Sequence, residues 1–439
     1  MLLLLIGCGL EPANTIDTSP DESAVVDDSE AEVPGCEGTH FSILSEQFKL
    51  PAGFAEGTFA YPYDVSSASP NWTLDDLAQD GLPEIVITLF DGVPVVGTSM
   101  WLLHQQEVGG FGSSSANWTL PTGFPDASFT SGTDTSSASP NWTILDLDGD
   151  GAEELVLTYD DRLDVGGDRW MVYERSGNGW SASGSSFALP PGYDAGAFYQ
   201  IQDTSSSSPN WGLIDMDGDG DPDLVSTYYE GIEGVGDTRW LVYDNSGSGF
   251  STTGATWVLP SGFPSNSFTM PYDQSSSAPN WAVMDLDGDG PVELVVTGFE
   301  GLDEVGTTKW LVYGQASSGF ESAASGWTLP AGYAQNAFYN PTDVTGDGVN
   351  WVLQDLDGDG LDELFILYDT ADASLSDSKW LSFDNTGEGF EAEADYWLLP
   401  NGFNAGAFTA TSGTGDPRYT LVDIDGDDRE DLLVTYSSG

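Results

Sequence analysis

Acidic residues recur along this chain at a spacing that suits a hard divalent cation. Near-identical copies of the run DLDGDG place Asp on three alternate residues, and a fourth acidic residue follows at the ninth position. Such a cation takes six to eight oxygen ligands at roughly 2.3 to 2.6 Å, and glycine at the sixth position allows the sharp turn that gathers them. We therefore predict about five Ca²⁺ sites. Their ligands are Asp146, Asp148, Asp150 and Glu154; Asp215, Asp217, Asp219 and Asp223; Asp285, Asp287, Asp289 and Glu293; Asp355, Asp357, Asp359 and Glu363; and Asp423, Asp425, Asp427 and Asp431.

A sixth loop is degenerate. It keeps Asp76, Asp80 and Glu84 but has Ala78 in the middle, so we expect it to bind a cation weakly or not at all. An EF-hand shares the first half of this spacing, but it needs a Glu at position twelve between two helices. Position twelve is apolar here, as at Leu157, which excludes an EF-hand. Acidic turns without a metal are disfavoured, because four crowded carboxylates would repel one another.

The loops are set in a regular repeat of short β-type segments. Their starts lie 69, 70, 70 and 68 residues apart, which indicates a repeat architecture. One copy, residues 280–343, contains the runs WAVMD, ELVVT, KWLVY and WTLP, each rich in β-formers and bounded by turn residues. Helical periodicity is missing over any window of about eleven residues. The pattern predicts an all-β chain with four strands per repeat.

All 15 tryptophans stand at recurring places in these strands. This restriction favours packing between sheets over a platform for stacking sugars. Four-stranded units that repeat radially and pack face against face form a β-propeller, which leaves few exposed edges. Six first-strand positions predict about six blades. These positions are Trp72, Trp142, Trp211, Trp281, Trp351 and Tyr419.

The two ends of the chain complement each other. The last repeat stops after its second strand, 432–436, and residues 41–54 supply a fourth-strand segment. Phe41 and Phe48 have the same seven-residue offset as Phe320 and Trp327. We therefore predict a closing blade built from both termini. The sequence offers no third strand for it, so an open ring and a three-stranded closing blade stay as alternatives.

Composition limits the partners. With 39% hydrophobic and 12% aromatic residues the chain can bury a large core. Nine basic against 72 acidic residues give a formal charge of −63, which repels nucleic acid and anionic lipid. Five bound Ca²⁺ ions would bring the charge only to about −53, so most of the acidity belongs to a solvated surface.

The first residues, MLLLLIGCGL, resemble the end of a bacterial lipoprotein signal with Cys8 as the lipidated residue. The predicted division is a signal at 1–8, an acidic tether at 9–35 and a propeller at 36–439. Export and lipid anchoring to the cell envelope follow, either in the outer membrane or at the cell surface, and the full leader is expected to begin upstream of Met1. If Cys8 is not an anchor, a disulfide with Cys36 becomes possible in an oxidising compartment.

Residues 41–436 resemble the FG-GAP or VCBS repeats found in the propeller of integrin α-subunits and in many bacterial surface proteins. The resemblance is carried by the run DLDGDGPVELVVT followed by the pair Gly319 and Phe320, whereas the WxLP segment departs from the shorter family repeat. It implies that each calcium loop lies in a strand hairpin at one end of a blade and has a structural role.

Two functions are open at this point. The first is a calcium-stabilised binding, adhesion or scaffold module that recognises a protein or carbohydrate at a rim of the propeller. Connections of about 19 residues between fourth and first strands favour such a rim. The second is a calcium-dependent polysaccharide lyase or hydrolase. His40 and His104 are the only histidines, no nucleophile motif occurs, and we expect no catalytic residues. Recurring acids ahead of the first strands are expected to cap turns: Asp64, Asp134, Asp203, Asp273 and Asp343.

Overall fold

The computed structural model describes residues 4–6, 41, 48–61, 63, 69–131, 133, 140–202, 209–270, 272, 279–340, 348–372, 374–427 and 429–437. Within these ranges every regular element is a β-strand, as predicted. The described part of the chain has no helix, and hence none long and apolar enough to cross a bilayer.

Six four-stranded sheets form the blades of a β-propeller, which confirms the predicted architecture. Strands within a blade are antiparallel, and in blades 1 to 5 the first strand runs next to the second, the second next to the third, and the third next to the fourth. In that order the strands are Asn71–Asp75, Glu84–Leu89, Met100–His104 and Ala116–Thr119 in blade 1; Asn141–Leu145, Glu154–Tyr159, Arg169–Tyr173 and Ser185–Ala188 in blade 2; Asn210–Ile214, Asp223–Tyr228, Arg239–Tyr243 and Ala255–Val258 in blade 3; Asn280–Met284, Glu293–Gly298, Lys309–Tyr313 and Ser325–Thr328 in blade 4; and Val349–Gln354, Glu363–Asp369, Lys379–Phe383 and Asp395–Leu398 in blade 5.

Blade 6 joins the two termini. Its sheet runs in the order Leu4–Ile6, Asp431–Tyr436, Arg418–Val422 and Ser412–Thr414. Leu4–Ile6 pairs with residues 432–434 and so holds the third-strand place for which the sequence offered no candidate. The run LLLLI is assigned to a leader in the sequence analysis because it precedes Cys8 as in a lipoprotein signal. Two short hairpins accompany the blades: Gln106–Glu107 with Gly110–Phe111, and Gln315–Ala316 with Gly319–Phe320. The second hairpin extends the sheet of blade 3, because Gly319 pairs with Val258.

Tryptophans fill the spaces between blades, as predicted. The third-strand Trp of one blade packs against the first-strand Trp of the next, with ring centroids 5.5 Å apart for Trp240 and Trp281 and also for Trp310 and Trp351. These four side chains are completely buried. Burial of such large apolar faces supplies the main favourable free energy that holds neighbouring sheets together.

Backbone hydrogen bonds close the ring. The amide of Phe390 in blade 5 donates to the carbonyl of Thr328, the outer strand of blade 4, at 3.0 Å. The N-terminal segment continues this pattern, because Phe41 donates to the carbonyl of Leu398 at 3.3 Å. The same N-terminal segment also contacts blade 1, because the carbonyl of Lys49 accepts from the amide of Phe111 at 2.8 Å. The ring is therefore closed, and the closing blade is built from both termini as predicted.

Candidate metal centre

The six acidic loops lie at one end of the ring, because each connects the first strand of a blade to its second strand. Neighbouring loops pack backbone against backbone. A Cβ atom at Gly149 of blade 2 would lie 2.0 Å from Oδ1 of Asp221 in blade 3, and one at Gly426 would lie 2.4 Å from the carbonyl oxygen of Gly81. The fourth-position glycine is therefore needed where two loops touch. Sequence reasoning had assigned a role to the sixth-position glycine alone.

The loop of blade 5 brings its complete predicted set together. One oxygen from each of Asp355, Asp357, Asp359 and Glu363 lies within 4.8 Å of every other. Two oxygens on opposite sides of one Ca²⁺ ion are roughly 4.6 to 5.2 Å apart, given ligand distances of roughly 2.3 to 2.6 Å. These four carboxylates can therefore share a single ion.

Other loops bring together three carboxylates within the same distance. In blade 2 the group lacks the fifth-position Asp150. In blades 3 and 4 it lacks the ninth-position acid, which is Asp223 and Glu293 respectively. The degenerate loop of blade 1 forms such a group as well. The groups are Asp146, Asp148 and Glu154; Asp215, Asp217 and Asp219; Asp285, Asp287 and Asp289; and Asp76, Asp80 and Glu84.

In the loop of blade 6, backbone amides donate to the first-position and the ninth-position carboxylates. Amides of Gly426 and Asp427 donate to Oδ1 of Asp423 at 2.7 and 3.3 Å, and that of Ile424 donates to Oδ2 of Asp431 at 3.4 Å. Burial, followed by the charges of Asp425, Asp427 and Asp423, raises the pKa of Asp431 to about 8. All four predicted ligands of this loop therefore act on one another.

Two buried carboxylate oxygens of blade 2 accept no hydrogen bond from any residue that the structure describes. The amide of Gly151 donates to Oδ2 of Asp146 at 2.9 Å and fixes this side chain. Oδ1 of Asp146 and Oδ1 of Asp148 are buried, and among the described residues nothing donates to either. A buried acceptor without a donor is costly, and a cation at this point would remove the cost.

The ninth-position acids lie deepest in the loops. Glu154 is 1% exposed, and its Oε2 accepts from the amide of Leu147 at 2.9 Å. Burial raises the pKa of Glu154 to about 8 and that of Glu363 to about 9, and nearby Asp side chains add to both shifts. Asp223 and Glu293 are raised to about 7 for the same reasons. Without a cation these groups hold protons near neutral pH, and a divalent ion would replace the protons.

The third-position acids of the loops also have raised pKa values. Burial, followed by the charge of the next Asp in the loop, raises the pKa of each of them. They are Asp148, Asp217, Asp287, Asp357 and Asp425. Each loop is thus a concentrated source of negative charge that no described Lys or Arg neutralises by a close ion pair.

Sequence reasoning missed a set of amide side chains that attach four of the six loops, those of blades 2, 3, 4 and 6, to the next blade. Nδ2 of Asn385 in blade 5 donates to the carbonyl of Leu286, in the loop of blade 4, at 2.8 Å, and to the carbonyl of Asp362 in its own loop at 3.2 Å. Gln315 makes the same two contacts one blade earlier. We call these side chains the amide clasps. They are Gln106, Asn245, Gln315 and Asn385.

The signal for the clasps was present, since each is the second residue after a third strand. Arg175 stands at this place in blade 2. Its charge acts on Glu84 of the degenerate loop and lowers the pKa of that carboxyl, against the larger effect of burial, which raises it to about 7. The loop that lost one carboxylate therefore also has a positive side chain near its ninth-position acid.

Several predicted residues lie outside the described part of the chain. They are Cys8, Cys36, the tether at 9–35, the sixth-position Asp428, and the recurring Asp64, Asp134, Asp203, Asp273 and Asp343. Lipidation, the disulfide alternative and turn capping by these acids stay predictions.

Neither a known protein family nor a curated protein matches the sequence. Among solved structures, the Tc holotoxin pore of Photorhabdus luminescens is 19% identical with a TM-score of 0.50, over 85% of this chain and 13% of the toxin chain. A lectin of Agrocybe aegerita that recognises non-reducing terminal N-acetylglucosamine is 14% identical with a TM-score of 0.46, over 90% of this chain and 79% of the lectin. The toxin match shows a shared fold only.

Proposed function

We propose that this protein is a calcium-stabilised β-propeller that serves as a binding or scaffold module on the cell envelope. The observation that carries the calcium assignment is the convergence of Asp355, Asp357, Asp359 and Glu363 on one point. The donors are carboxylate oxygens alone, which suits a hard cation. Ca²⁺ fits better than Mg²⁺, because it accepts many carboxylates in a flexible loop, whereas Mg²⁺ keeps several of its waters.

The proposed ions stabilise the ring. Neighbouring loops are in contact, and the amide clasps connect the loops of blades 2, 3, 4 and 6 to the next blade, as Asn385 does for the loop at Leu286. A cation in the loop removes repulsion between carboxylates at a blade interface. This role agrees with the resemblance to FG-GAP and VCBS repeats, which rests on the motifs.

Removing calcium tests this part of the proposal. A metal that binds only the folded protein stabilises it by about 2.7 kcal/mol per site when its free concentration is a hundredfold above Kd. We expect calorimetric titration to count about five ions per chain and the thermal midpoint to fall markedly in chelator. Magnesium at the same concentration is the control. An unchanged midpoint in chelator would contradict the assignment.

We propose that ligands bind at the end of the ring opposite the acidic loops. There the loop at Leu302 and the connection at Asn336 and Tyr339 of blade 4 enclose a hollow of about 480 Å³. This size falls within the range of small-ligand sites. A protein or carbohydrate ligand fits the proposal, and nucleic acid does not, because the charge of −63 repels phosphate.

A binding protein and an enzyme give different results on the same material. Neutral and acidic polysaccharides and matrix proteins are arrayed, retained protein is measured, and the same polysaccharides are assayed for new reducing ends or unsaturated products. We expect retention without products. Product release would favour the alternative, a calcium-dependent polysaccharide lyase or hydrolase.

Envelope display rests on Cys8, which we propose as the site of a lipid anchor. Metabolic labelling with an alkyne fatty acid is expected to mark the wild-type chain and not Cys8→Ala. Processing ahead of Cys8 would also remove Leu4–Ile6, the third strand of blade 6. N-terminal analysis of the labelled protein distinguishes the processed chain from one that keeps this strand. An unlabelled wild-type chain would contradict the anchor.

A further inference from the structure

Blade 4 has a larger cleft beside its acidic loop than blade 5 has. This cleft measures about 630 Å³, whereas the equivalent cleft in blade 5 measures about 180 Å³. Both are bounded by the third-position and ninth-position acids of the loop and by the fourth-strand Trp. These residues are Asp287, Glu293 and Trp327 in blade 4 and Asp357, Glu363 and Trp397 in blade 5.

The linings of the two clefts differ at several places. Gly326 lines the cleft of blade 4 where Tyr396 lines that of blade 5. A further difference is the residue that follows the third strand. It is Gly314 in blade 4 and Asp384 in blade 5, and a Cβ atom at Gly314 would have no atom within 4 Å. A second acid of the smaller cleft, Asp395, is replaced by Ser325 in blade 4. Every other described copy has a longer polar side chain in the place of Gly314, namely Gln105, Glu174 and Asp244.

Where this residue is acidic, it faces the metal loop of its own blade. Asp384 lines the cleft together with Asp357 and Glu363. In blade 2, burial and then the charges of Asp148 and Asp150 raise the pKa of Glu174. The acid thus adds a carboxylate on the side of the loop that opens to the cleft. Blade 4 has no acid at this place in the sequence, where Gly314 stands.

We propose that a cation held by Asp285, Asp287, Asp289 and Glu293 has coordination positions open to the cleft, and that a neutral sugar binds there through two adjacent hydroxyls. This inference rests on the proposed calcium binding, and it gives one of the ions a second role in recognition. The other blades with an acid at the equivalent place keep their ions closed.

The walls of the cleft favour a neutral polyol over a charged ligand. No Lys or Arg is among the described residues that line it, whereas Glu321 and Glu388 do, so a carboxylate or phosphate ligand would be repelled. Sugar hydroxyls can donate to these carboxylates while their lone pairs coordinate the ion. The volume lies within the range of small-ligand sites.

Binding of neutral sugars to the full-length protein tests this inference. The calcium-loaded protein is titrated calorimetrically with methyl α-mannopyranoside and methyl β-galactopyranoside, each of which has a cis pair of adjacent hydroxyls, and is applied to an array of neutral glycans. We expect one site per chain, and we expect chelator to abolish binding. If calcium binds and stabilises the protein but no neutral glycan is retained, the sugar assignment is overturned while the calcium proposal stands. Retention of a lysine-rich peptide instead of sugars overturns it as well.

Gly314→Asp copies the acid of blades 3 and 5 into blade 4. Because Gly314 has no positive φ and open space around it, the variant is expected to fold and to bind the same number of calcium ions. Sugar affinity is expected to fall at least tenfold. Asp384→Gly is the matched control, and it leaves the blade 4 site intact. Equal sugar affinity in Gly314→Asp would place the sugar elsewhere and overturn the inference.

Terbium provides a readout that does not depend on a sugar. Tb³⁺ replaces Ca²⁺ at oxygen sites, and its luminescence lifetimes in H₂O and D₂O count the waters on the ion. Gly314→Asp is expected to lower the mean number of waters, because its carboxylate takes an open position. An unchanged number would contradict open coordination in blade 4. Failure of terbium or calcium to bind at all would instead remove the proposed function.

Discussion

The acidic loops of blades 5 and 1 hold equivalent places in the ring and differ by one carboxylate. In both, the sixth-position amide donates to Oδ2 of the first Asp, from Gly360 to Asp355 at 2.9 Å and from Gly81 to Asp76 at 3.0 Å. The ninth-position acid is buried in both. The backbone frame of the loop therefore forms whether or not the third position is acidic.

The carboxylate at the third position changes the charge of the loop and leaves its shape intact. The pKa of Glu363 is raised to about 9, with Asp357 as the largest contribution after burial, and that of Glu84 only to about 7. Ala78 contributes an amide to Glu84 at 3.0 Å, and Arg175 contributes a positive charge. Blade 5 has similar protein groups, since the amide of Leu356 donates to Glu363 at 3.4 Å and the charge of Arg429 lowers the pKa of Asp357. The pKa of Glu363 still stays at about 9, so blade 5 keeps the larger uncompensated charge, which we propose a cation balances.

The pH dependence of the metal-free protein tests this comparison with the largest expected effect, because it involves all the ninth-position acids together. The ninth-position acids have raised pKa values in the folded state, so the stability they contribute is complete below their ordinary pKa and is lost as the pH rises through the folded values of about 7 to 9. We expect the thermal midpoint in chelator to fall from pH 5 to pH 8. Self-repulsion of the acidic surface acts in the same direction.

Calcium is the control for this experiment. A bound ion favours the ionised carboxylates, so the midpoint in saturating calcium is expected to change little over the same range, and calcium affinity is expected to rise with pH. Calorimetry at four pH values measures both. A midpoint in chelator that stays level or rises from pH 5 to pH 8 would show that the loops do not hold protons in place of a cation.

Replacing one carboxylate is expected to convert the loop of blade 5 into a copy of blade 1. Asp357→Asn keeps the shape of the side chain and removes the charge. We expect one calcium ion fewer per chain and a loss of about 2.7 kcal/mol at a hundredfold excess over Kd. Ion counting by calorimetry and unfolding in denaturant at fixed calcium give the two numbers. An unchanged ion count would remove Asp357 from the ligand set.

Adding the missing carboxylate to the loop of blade 1 tests the same difference between blades 1 and 5. Asp76, Asp80 and Glu84 already lie together, so Ala78→Asp restores the third-position acid. We expect Ala78→Asp alone to gain little, because Arg175 still acts on Glu84. Combined with Arg175→Asn, which copies the clasp of blades 3 and 5, it is expected to bind one additional calcium ion. A double variant with the wild-type ion count would show that other residues disable this loop.

Much of this architecture could be predicted from the sequence, because local patterns determine it. The period of about 70 residues, the β-type runs and the alternating acids are all visible within one repeat. Trp240 and Trp281 were assigned to the space between sheets from their recurrence alone, and they pack there at 5.5 Å. Closure through Phe41 followed from its offset to Phe48.

Contacts between blades could not be predicted in the same way. The clasp of Asn385 reaches Leu286, 99 residues away, and only the closed ring shows which loop lies next to it. The fourth-position Gly149 has its reason in the Asp221 carboxylate of the next blade. Leu4–Ile6 resembles a leader, and its pairing depends on a second strand at the other end of the chain.

The clasp of Asn385 tests how far a loop depends on its neighbour rather than on an ion. Asn385→Leu leaves the carbonyls of Leu286 and Asp362 without these donors, and an unsatisfied buried acceptor costs about 1 to 3 kcal/mol. We expect that loss in chelator and in calcium alike, measured by unfolding in urea. Glu388→Ala, an exposed position in the same turn, is the control and is expected to change little. A loss confined to calcium would mean that the clasp acts through the ion.

The smallest effect is expected at the fourth-strand tryptophans, which differ from the third-strand set in one hydrogen bond. Nε1 of Trp310 donates to the carbonyl of Phe338 at 2.9 Å, whereas Nε1 of Trp327 is buried and has no partner among the described residues. Phe187 already takes the place of Trp327 in blade 2. Trp327→Phe is therefore expected to change the free energy of unfolding by about 1 kcal/mol or less, because the lost contacts are offset by removal of an unpaired N–H. Trp310→Phe makes the same change in volume but leaves an acceptor unpaired, so its loss is expected to be larger by about 1 to 3 kcal/mol. Equal losses in the two variants would show that packing alone, and not this hydrogen bond, distinguishes the inner tryptophans from the outer ones.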